Sequence, residues 1–228
     1  MIMDWVELCS QIIVPTPIQF LYEINGVQIF IKRDDLNHES ISGNKWRKLK
    51  YNLKEYEASH FEGIISFGGA YSNHIFSLSA ACHLLNIPLI VIVRGKDANE
   101  ANSTLHVLTQ RNQTIIKVDR SVYRQKLESQ EIQDILYHYK NFMVLPEGGT
   151  NVHALLGVGE VVDELRLQDV LFDYLVCSMG TGGTAAGLLQ KLNAEEKLVV
   201  YPALKGSWIK SEIVHLAQQS EKLPNLVI

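Results

Sequence analysis

Cysteine is scarce: Cys9, Cys82 and Cys177 are odd in number and far apart along the chain. That excludes a disulfide framework and fits free thiols, packed as small core residues, in a reducing cytoplasm. No His-Glu-x-x-His and no Cys-x-x-Cys occurs, so the 8 histidines give a metal site no support. Positive charge is not in excess, the formal net charge being -4, and no basic-aromatic surface motif offers a footprint for nucleic acid. No apolar stretch approaches the roughly 20 residues needed to span a bilayer. Residues 1–14 interrupt their apolar side chains with Asp4, Glu7 and Gln11, unlike a signal peptide. Internal repeats and low-complexity tracts are also missing. What is present is the composition of a soluble enzyme, 46% hydrophobic and 20% charged, in 228 residues. That length suffices for one large or two small domains.

Pro15-Thr16-Pro17 predicts an extended lead-in, and residues 27–32 a strand after the Asn25-Gly26 turn. From Gly63 the pattern turns regular. Short continuous apolar runs predict strands at 64–67, 89–93, 114–118 and 142–145, with helices over 72–85, 99–110 and 121–139 between them. After Pro146-Glu147-Gly148-Gly149 come a helix over 152–167, a strand at 174–177, a helix over 184–192, a strand at 198–201 and a helix over 209–219. Such strands alternating with helices predict an α/β fold whose mostly parallel sheet is covered on both faces. Ligands of these sheets lie beyond the carboxyl ends of the strands. Gly68-Gly69, Gly148-Gly149 and the 180–183 segment all fall there, which suggests one cleft.

Three segments carry chemistry. In Ser42-Gly43-Asn44-Lys45-Trp46-Arg47-Lys48, the cap-forming Ser42 and Asn44 and the helical spacing of Trp46, Leu49 and Leu53 place Lys45 at a helix N-terminus. Burial there, or the helix dipole with Arg47 and Lys48, would favour the neutral amine that condenses with an aldehyde. The plain alternative is a solvated basic face made by Lys45, Arg47, Lys48, Lys50 and Lys54. Gly180-Thr181-Gly182-Gly183-Thr184 joins a strand to a helix, so its backbone N–H groups can surround a phosphate. No Lys-Ser or Lys-Thr follows it, so it is not a Walker loop. Through Ala185 it also fits Gly-x-Gly-x-x-Ala, but Tyr201-Pro202-Ala203 stands where a dinucleotide site wants an acid, leaving a nicotinamide-dependent oxidoreductase as the weaker rival. Ser72-Asn73 opens a helix after Gly68-Gly69: Ser72 reads as an N-cap or as a hydroxyl facing the cleft, without the Gly-x-Ser-x-Gly elbow of a hydrolase. A monophosphate site, a lysine and a hydroxyl-amide pair in one cleft are the requirements of pyridoxal phosphate.

At this point the chain resembles the 1-aminocyclopropane-1-carboxylate deaminase and D-cysteine desulfhydrase family of pyridoxal phosphate enzymes. The resemblance rests on Lys32-Arg33-Asp34-Asp35, Gly43-Asn44-Lys45-x-Arg47-Lys48, Gly68-Gly69-x-x-Ser72-Asn73-His74, Pro146-Glu147-Gly148-Gly149 and Gly180-Thr181-Gly182-Gly183-Thr184-x-Ala186-Gly187. It implies a two-domain, tryptophan synthase β-like fold (pyridoxal phosphate fold type II). Residues 46–145 form the smaller inserted domain, and 1–45 with 146–228 the larger, cofactor-binding one. It implies that Lys45 is the amine joined to pyridoxal 5'-phosphate, that Asn73 bonds the cofactor ring oxygen, and that Ser72 meets the substrate carboxylate or moves a proton. Gly180, Thr181, Gly182, Gly183 and Thr184 would hold the phosphate. The implied reaction turns a small amino acid into a 2-oxo acid and ammonia, in a cytoplasmic homodimer. Two departures qualify this. The best-known deaminases have glutamine before the serine, and threonine or alanine plus arginine after the histidine, where this chain has Tyr71 and Ile75-Phe76. Family members also run past this length, so a truncated member is expected, either active or kept as a binding or interaction domain.

Overall fold

In a computed structural model of the chain, which describes residues 2–99, 101–203 and 205–228, the apolar runs become parallel strands. Contacts divide the chain into two units: Met1–Trp46 with Lys54–Glu147, and Arg47–Leu53 with Gly148–Ile228. The first 45 residues, expected with the larger domain, group by contact with the middle of the chain.

The first unit opens with helix α1 (Trp5–Ser10), closed by a capping box in which the Asp4 and Glu7 side chains each accept the other's backbone N–H. A hairpin follows, β1 (Ile18–Ile24) antiparallel to β2 (Val27–Lys32), turning at Asn25 and Gly26, both at positive φ. Strand β1 escapes the sequence pattern because six of its seven residues are exposed, so no alternation marks it. Helix α2 (Asn44–Glu57) leads to four parallel strands, β3 (Gly63–Gly68), β4 (Leu89–Arg94), β5 (Thr114–Val118) and β6 (Phe142–Leu145), in the order β5-β4-β3-β6. All of β3 is buried, as continuous apolar strands require. Ile65, Phe67, Ile90 and Ile92 pack there on Tyr123 and Ile132. The chain runs from β3 to one side and returns to its other side at β6, so the crevice beyond the strands' carboxyl ends is the place for a ligand.

Helices α3 (Asn73–Leu84), α4 (Ser103–Gln110), α5 (Arg120–Gln125) and α6 (Gln130–His138) cover this sheet. Two expectations are corrected. Helix α4 starts at Ser103 because Asn102 Oδ1 accepts the Thr104 and Leu105 amides at 2.9 and 3.3 Å and caps it there; Glu100, within the expected span, lies outside the described residues. The single helix expected over 121–139 is two. Lys126 takes φ 48, ψ -121, a conformation costly to any residue with a Cβ, and a 3₁₀ turn at Lys126–Glu128 follows.

The second unit combines residues 47–53 with helix α7 (Val152–Leu167), strand β7 (Tyr174–Met179), helix α8 (Gly183–Lys191), strand β8 (Lys197–Pro202), helix α9 (Ile209–Ala217) and strand β9 (Leu226–Val227). Its strands are parallel in the order β7-β8-β9; two residues are too few for a pattern, and β9 goes unpredicted. The core is Val158, Val162, Ala186, Leu189, Leu198 and Ile213. Residues 47–53 meet α7 where Gly157 omits a side chain: a Cβ there would overlap the Arg47 carbonyl. Among the described residues no helix is long and apolar enough to cross a membrane.

Candidate functional site

Lys45 is the second residue of α2. The N-cap is Gly43, at φ 67, instead of Ser42 or Asn44. The turn is pinned from behind: Gly43 N–H donates to the Asp34 carbonyl (2.8 Å) and to Asn37 Oδ1 (3.1 Å), and Asn37 Nδ2 returns a bond to the Gly43 carbonyl. Thr16 in turn donates to Asp34 Oδ1 at 2.7 Å. One residue on, Trp46 is buried and stacks on Trp5, centroids 5.9 Å apart. The amine that follows from this rigid turn is half-buried, and its Nζ donates to Asn44 Oδ1 at 2.7 Å. Burial pushes the Lys45 pKa down from the ordinary lysine value. The direction matches the sequence reading, and burial is the cause resolved here.

Ser72 and Asn73 follow the carboxyl end of β3 in the same unit. Ser72 caps α3, its Oγ accepting the Ile75 N–H at 3.3 Å, so the capping role is real and leaves the hydroxyl hydrogen to donate elsewhere. Asn73 is exposed at the first helical position. Beneath them His74 is buried, with Nε2 3.0 Å from Ser66 Oγ. Ser66 spends its one hydrogen on the Leu145 carbonyl at 2.9 Å, so His74 Nε2 must be the donor, which fixes the tautomer. The helix start carrying Ser72 and Asn73 is thereby pegged to β3 and β6.

The second unit assembles the glycine-rich loop. Gly182, at φ 81, caps α8, and the first turn of that helix directs its backbone N–H groups out of its end. Lys48, 2% exposed, donates from Nζ to the Gly148 carbonyl (3.1 Å), Thr150 Oγ1 (3.0 Å) and Thr181 Oγ1 (3.2 Å), and the two threonine hydroxyls stand 2.7 Å apart. A Cβ on Gly183 would come within 3.0 Å of Lys48 Nζ and 2.8 Å of Thr150, so this space is reserved beside the helix end. Lys48 spends its three hydrogens on these acceptors and one threonine hydroxyl donates to the other, so the ammonium's charge, one hydroxyl hydrogen and the helix N–H groups are what a phosphate monoester would meet here. Arg47, fully buried, grips Glu164 through both guanidinium nitrogens, Nη2 to Oε2 at 2.9 Å, and Lys50 reaches Glu160. The solvated basic face is therefore overturned at Arg47 and Lys48. The sequence reading missed Lys48 and Thr150 as neighbours of the loop. The available signals were that Lys48 lies one helical turn from Lys45 and that Thr150 follows the Gly148-Gly149 turn.

The comparisons agree with that donor set. The model of the family described as pyridoxal-phosphate dependent enzyme matches residues 9–218. A putative 1-aminocyclopropane-1-carboxylate deaminase of Pyrococcus abyssi is 32% identical over 76% of this chain and 55% of its own length. A bifunctional D-cysteine desulfhydrase/1-aminocyclopropane-1-carboxylate deaminase, mitochondrial, of Arabidopsis thaliana is 31% identical over 72% of this chain and 45% of its own. The chain thus spans about half the length of these curated relatives. The crystal structure of an ACC deaminase homologue superposes with a TM-score of 0.79 at 30% identity, covering 96% of this chain and 70% of that one. The fold is accordingly the tryptophan synthase β-like α/β fold (type II) of these enzymes. With a family match over residues 9–218 and a donor set suited to its cofactor's phosphate, this chain belongs to the pyridoxal-phosphate dependent enzyme family.

Proposed function

We propose that this chain carries the working residues of a pyridoxal phosphate-dependent deaminase or lyase that converts 1-aminocyclopropane-1-carboxylate or D-cysteine into a 2-oxo acid and ammonia. The observation that carries the reading is the buried Lys48 ammonium seated on Gly148, Thr150 and Thr181 at the end of α8; the names of the relatives support the choice of substrates. The 180–184 loop, from Gly180 through Thr184, holds the cofactor phosphate, with Lys48 supplying positive charge. When bound, pyridoxal phosphate supplies an electron sink for the substrate Cα carbanion. Lys45, its amine biased toward the neutral form, would be the attachment point for the cofactor aldehyde and the base, taking the Cα proton of D-cysteine or, because the Cα of 1-aminocyclopropane-1-carboxylate carries no hydrogen, a ring methylene proton of that substrate. Ser72 donates its hydroxyl hydrogen to the substrate carboxylate or relays a proton, and the Asn73 amide bonds the cofactor ring oxygen. Self-association as a homodimer belongs to this reading, and exposed Phe20, Tyr22 and Phe30 of the β1-β2 hairpin support it.

A second reading, an interaction domain that keeps the fold without turnover, is favoured by the same exposed hairpin. Incubating cofactor-loaded protein with both substrates and assaying 2-oxo acid, ammonia and sulfide separates the two. Release of 2-oxo acid from either substrate is expected. No product from either, with the protein self-associating in light scattering, would leave the interaction domain standing.

Lys48→Met is expected to weaken cofactor binding. Losing the positive charge that also holds both threonine hydroxyls in place should cost on the order of 1.4 kcal/mol or more, about tenfold or more in affinity. Titrating the variant with pyridoxal phosphate by absorbance reads this directly, and unchanged affinity would remove Lys48 from the phosphate site.

A further inference from the structure

The carboxyl ends of all four strands of the first unit open into a second polar feature, a cleft of about 640 Å³. Gly69, Ala70 and Tyr71 line it after β3, Arg94 at the end of β4, Arg120 to Lys126 after β5, and Glu147 after β6. Its size is that of a small-molecule site, at the place where parallel sheets bind ligands.

The charges lining it do not cancel. Four described lining residues are cations, Arg94, Arg120, Arg124 and Lys126, against the carboxylates of Asp97 and Glu147. Arg120 is taken by Asp97 at 3.1 Å and Lys126 by Glu147 at 2.9 Å. Arg94 and Arg124 have no carboxylate partner among the described residues. Arg94 lies over the Tyr123 ring, 5.9 Å from its centroid, a stacking that orients the guanidinium while leaving its N–H groups to donate.

A neutral donor lies beside them. Asn102 Nδ2 is buried and has no hydrogen-bond partner among the described residues, although its Oδ1 is occupied in capping α4. Tyr123, 3% exposed, carries its hydroxyl against the Glu147 carboxylate and is already engaged. A buried polar atom left unpaired is costly, and a ligand that accepts from it removes that cost. The unspent groups are thus two guanidiniums and an amide N–H₂, and all of them are donors.

We propose that this cleft binds the anionic end, carboxylate or phosphate, of a small acidic molecule through Arg94, Arg124 and Asn102. The anion has two sources. It can be the side chain of an acidic amino-acid substrate, since the cleft's lip, Gly69 to Tyr71, runs directly into Ser72. Or it can be a separate acidic effector. The site itself does not depend on the role of Lys45.

The test is calorimetric titration of the full chain with succinate and with inorganic phosphate. Saturable binding of at least one probe is expected, at least about tenfold weaker in Arg94→Gln and in Arg124→Gln, each removing a charge-assisted donor. Lys48→Met, which alters the proposed phosphate loop and not this cleft, should bind succinate and phosphate as wild type does, which separates this site from the cofactor reading. Arg124 is exposed on the short helix α5, so Arg124→Gln keeps the test open should Arg94→Gln fail to fold. Competition between D-aspartate and succinate, with D-aspartate the tighter, would assign the site to the substrate side chain. Succinate binding unaltered by saturating D-cysteine would assign it to an effector. Absence of binding by wild type at about 10 mM of either probe, or equal affinity in both arginine variants, overturns the proposal.

Discussion

Lys45→Ala is expected to abolish formation of 2-oxo acid, by on the order of 10³-fold or more, because on the proposed assignment the variant loses both the attachment amine and the base. Cofactor should still associate reversibly through the 180–184 loop, so the loss belongs to turnover and not to phosphate binding. The stability of the protein without cofactor should move the other way. The Lys45 pKa is lowered in the folded state by burial, so between that value and the unfolded value of about 10.4 the unfolded chain holds the proton and the folded one does not. Stability therefore rises with pH through that window, and below it the desolvation penalty is present in full. Lys45→Met should be more stable than wild type at neutral pH, with the difference closing as pH approaches 10. Melting curves over that range check it; a wild-type protein more stable than Lys45→Met at neutral pH contradicts the assignment of the shift to burial.

The second large effect is expected at Arg47. Its guanidinium is buried and held by both Glu164 oxygens, a bidentate arrangement within the second unit. Removing one partner leaves the other's charge buried without it, at a cost of about 3–5 kcal/mol, while replacing both by apolar residues of similar volume is often neutral. Glu164→Gln and Arg47→Met should each lower the urea midpoint strongly, and Arg47→Met combined with Glu164→Leu should recover most of the loss. Additive losses in the double variant would show that Arg47 is held by other contacts. Because Lys48 is the next residue along the helix, the single variants should also weaken cofactor uptake in the folded fraction, whereas the double variant should restore it.

These two residues show where sequence reading reaches its limit. The strands β3 to β8 were legible as short apolar runs, which burial explains for β3 and β4, and the loops at Gly68, Gly148 and Gly180 were legible because glycine marks tight turns after them. Lys45 was legible as an amine near a helix start. The burial of Arg47 was not, because its partner Glu164 lies 117 residues away and nothing local distinguishes a clamped arginine from a solvated one. The place of Lys48 beside the glycine-rich loop was illegible for the same reason, its acceptors being a carbonyl and hydroxyls 100 to 133 residues distant. The break at Lys126 carries no glycine or proline to announce it; the positive φ is imposed on an ordinary residue, whose amine pairs with Glu147. Strand β1 was missed because exposure on both faces erases the alternation that identifies a hairpin strand.

The most direct measurement of the central claim is borohydride reduction of cofactor-loaded protein followed by peptide mass mapping. The yellow absorbance should disappear and the reduced cofactor should be fixed on the peptide containing Lys45, with Lys48 unlabelled. Label on Lys48 or another lysine, or a protein that takes up no cofactor at all, would contradict the account.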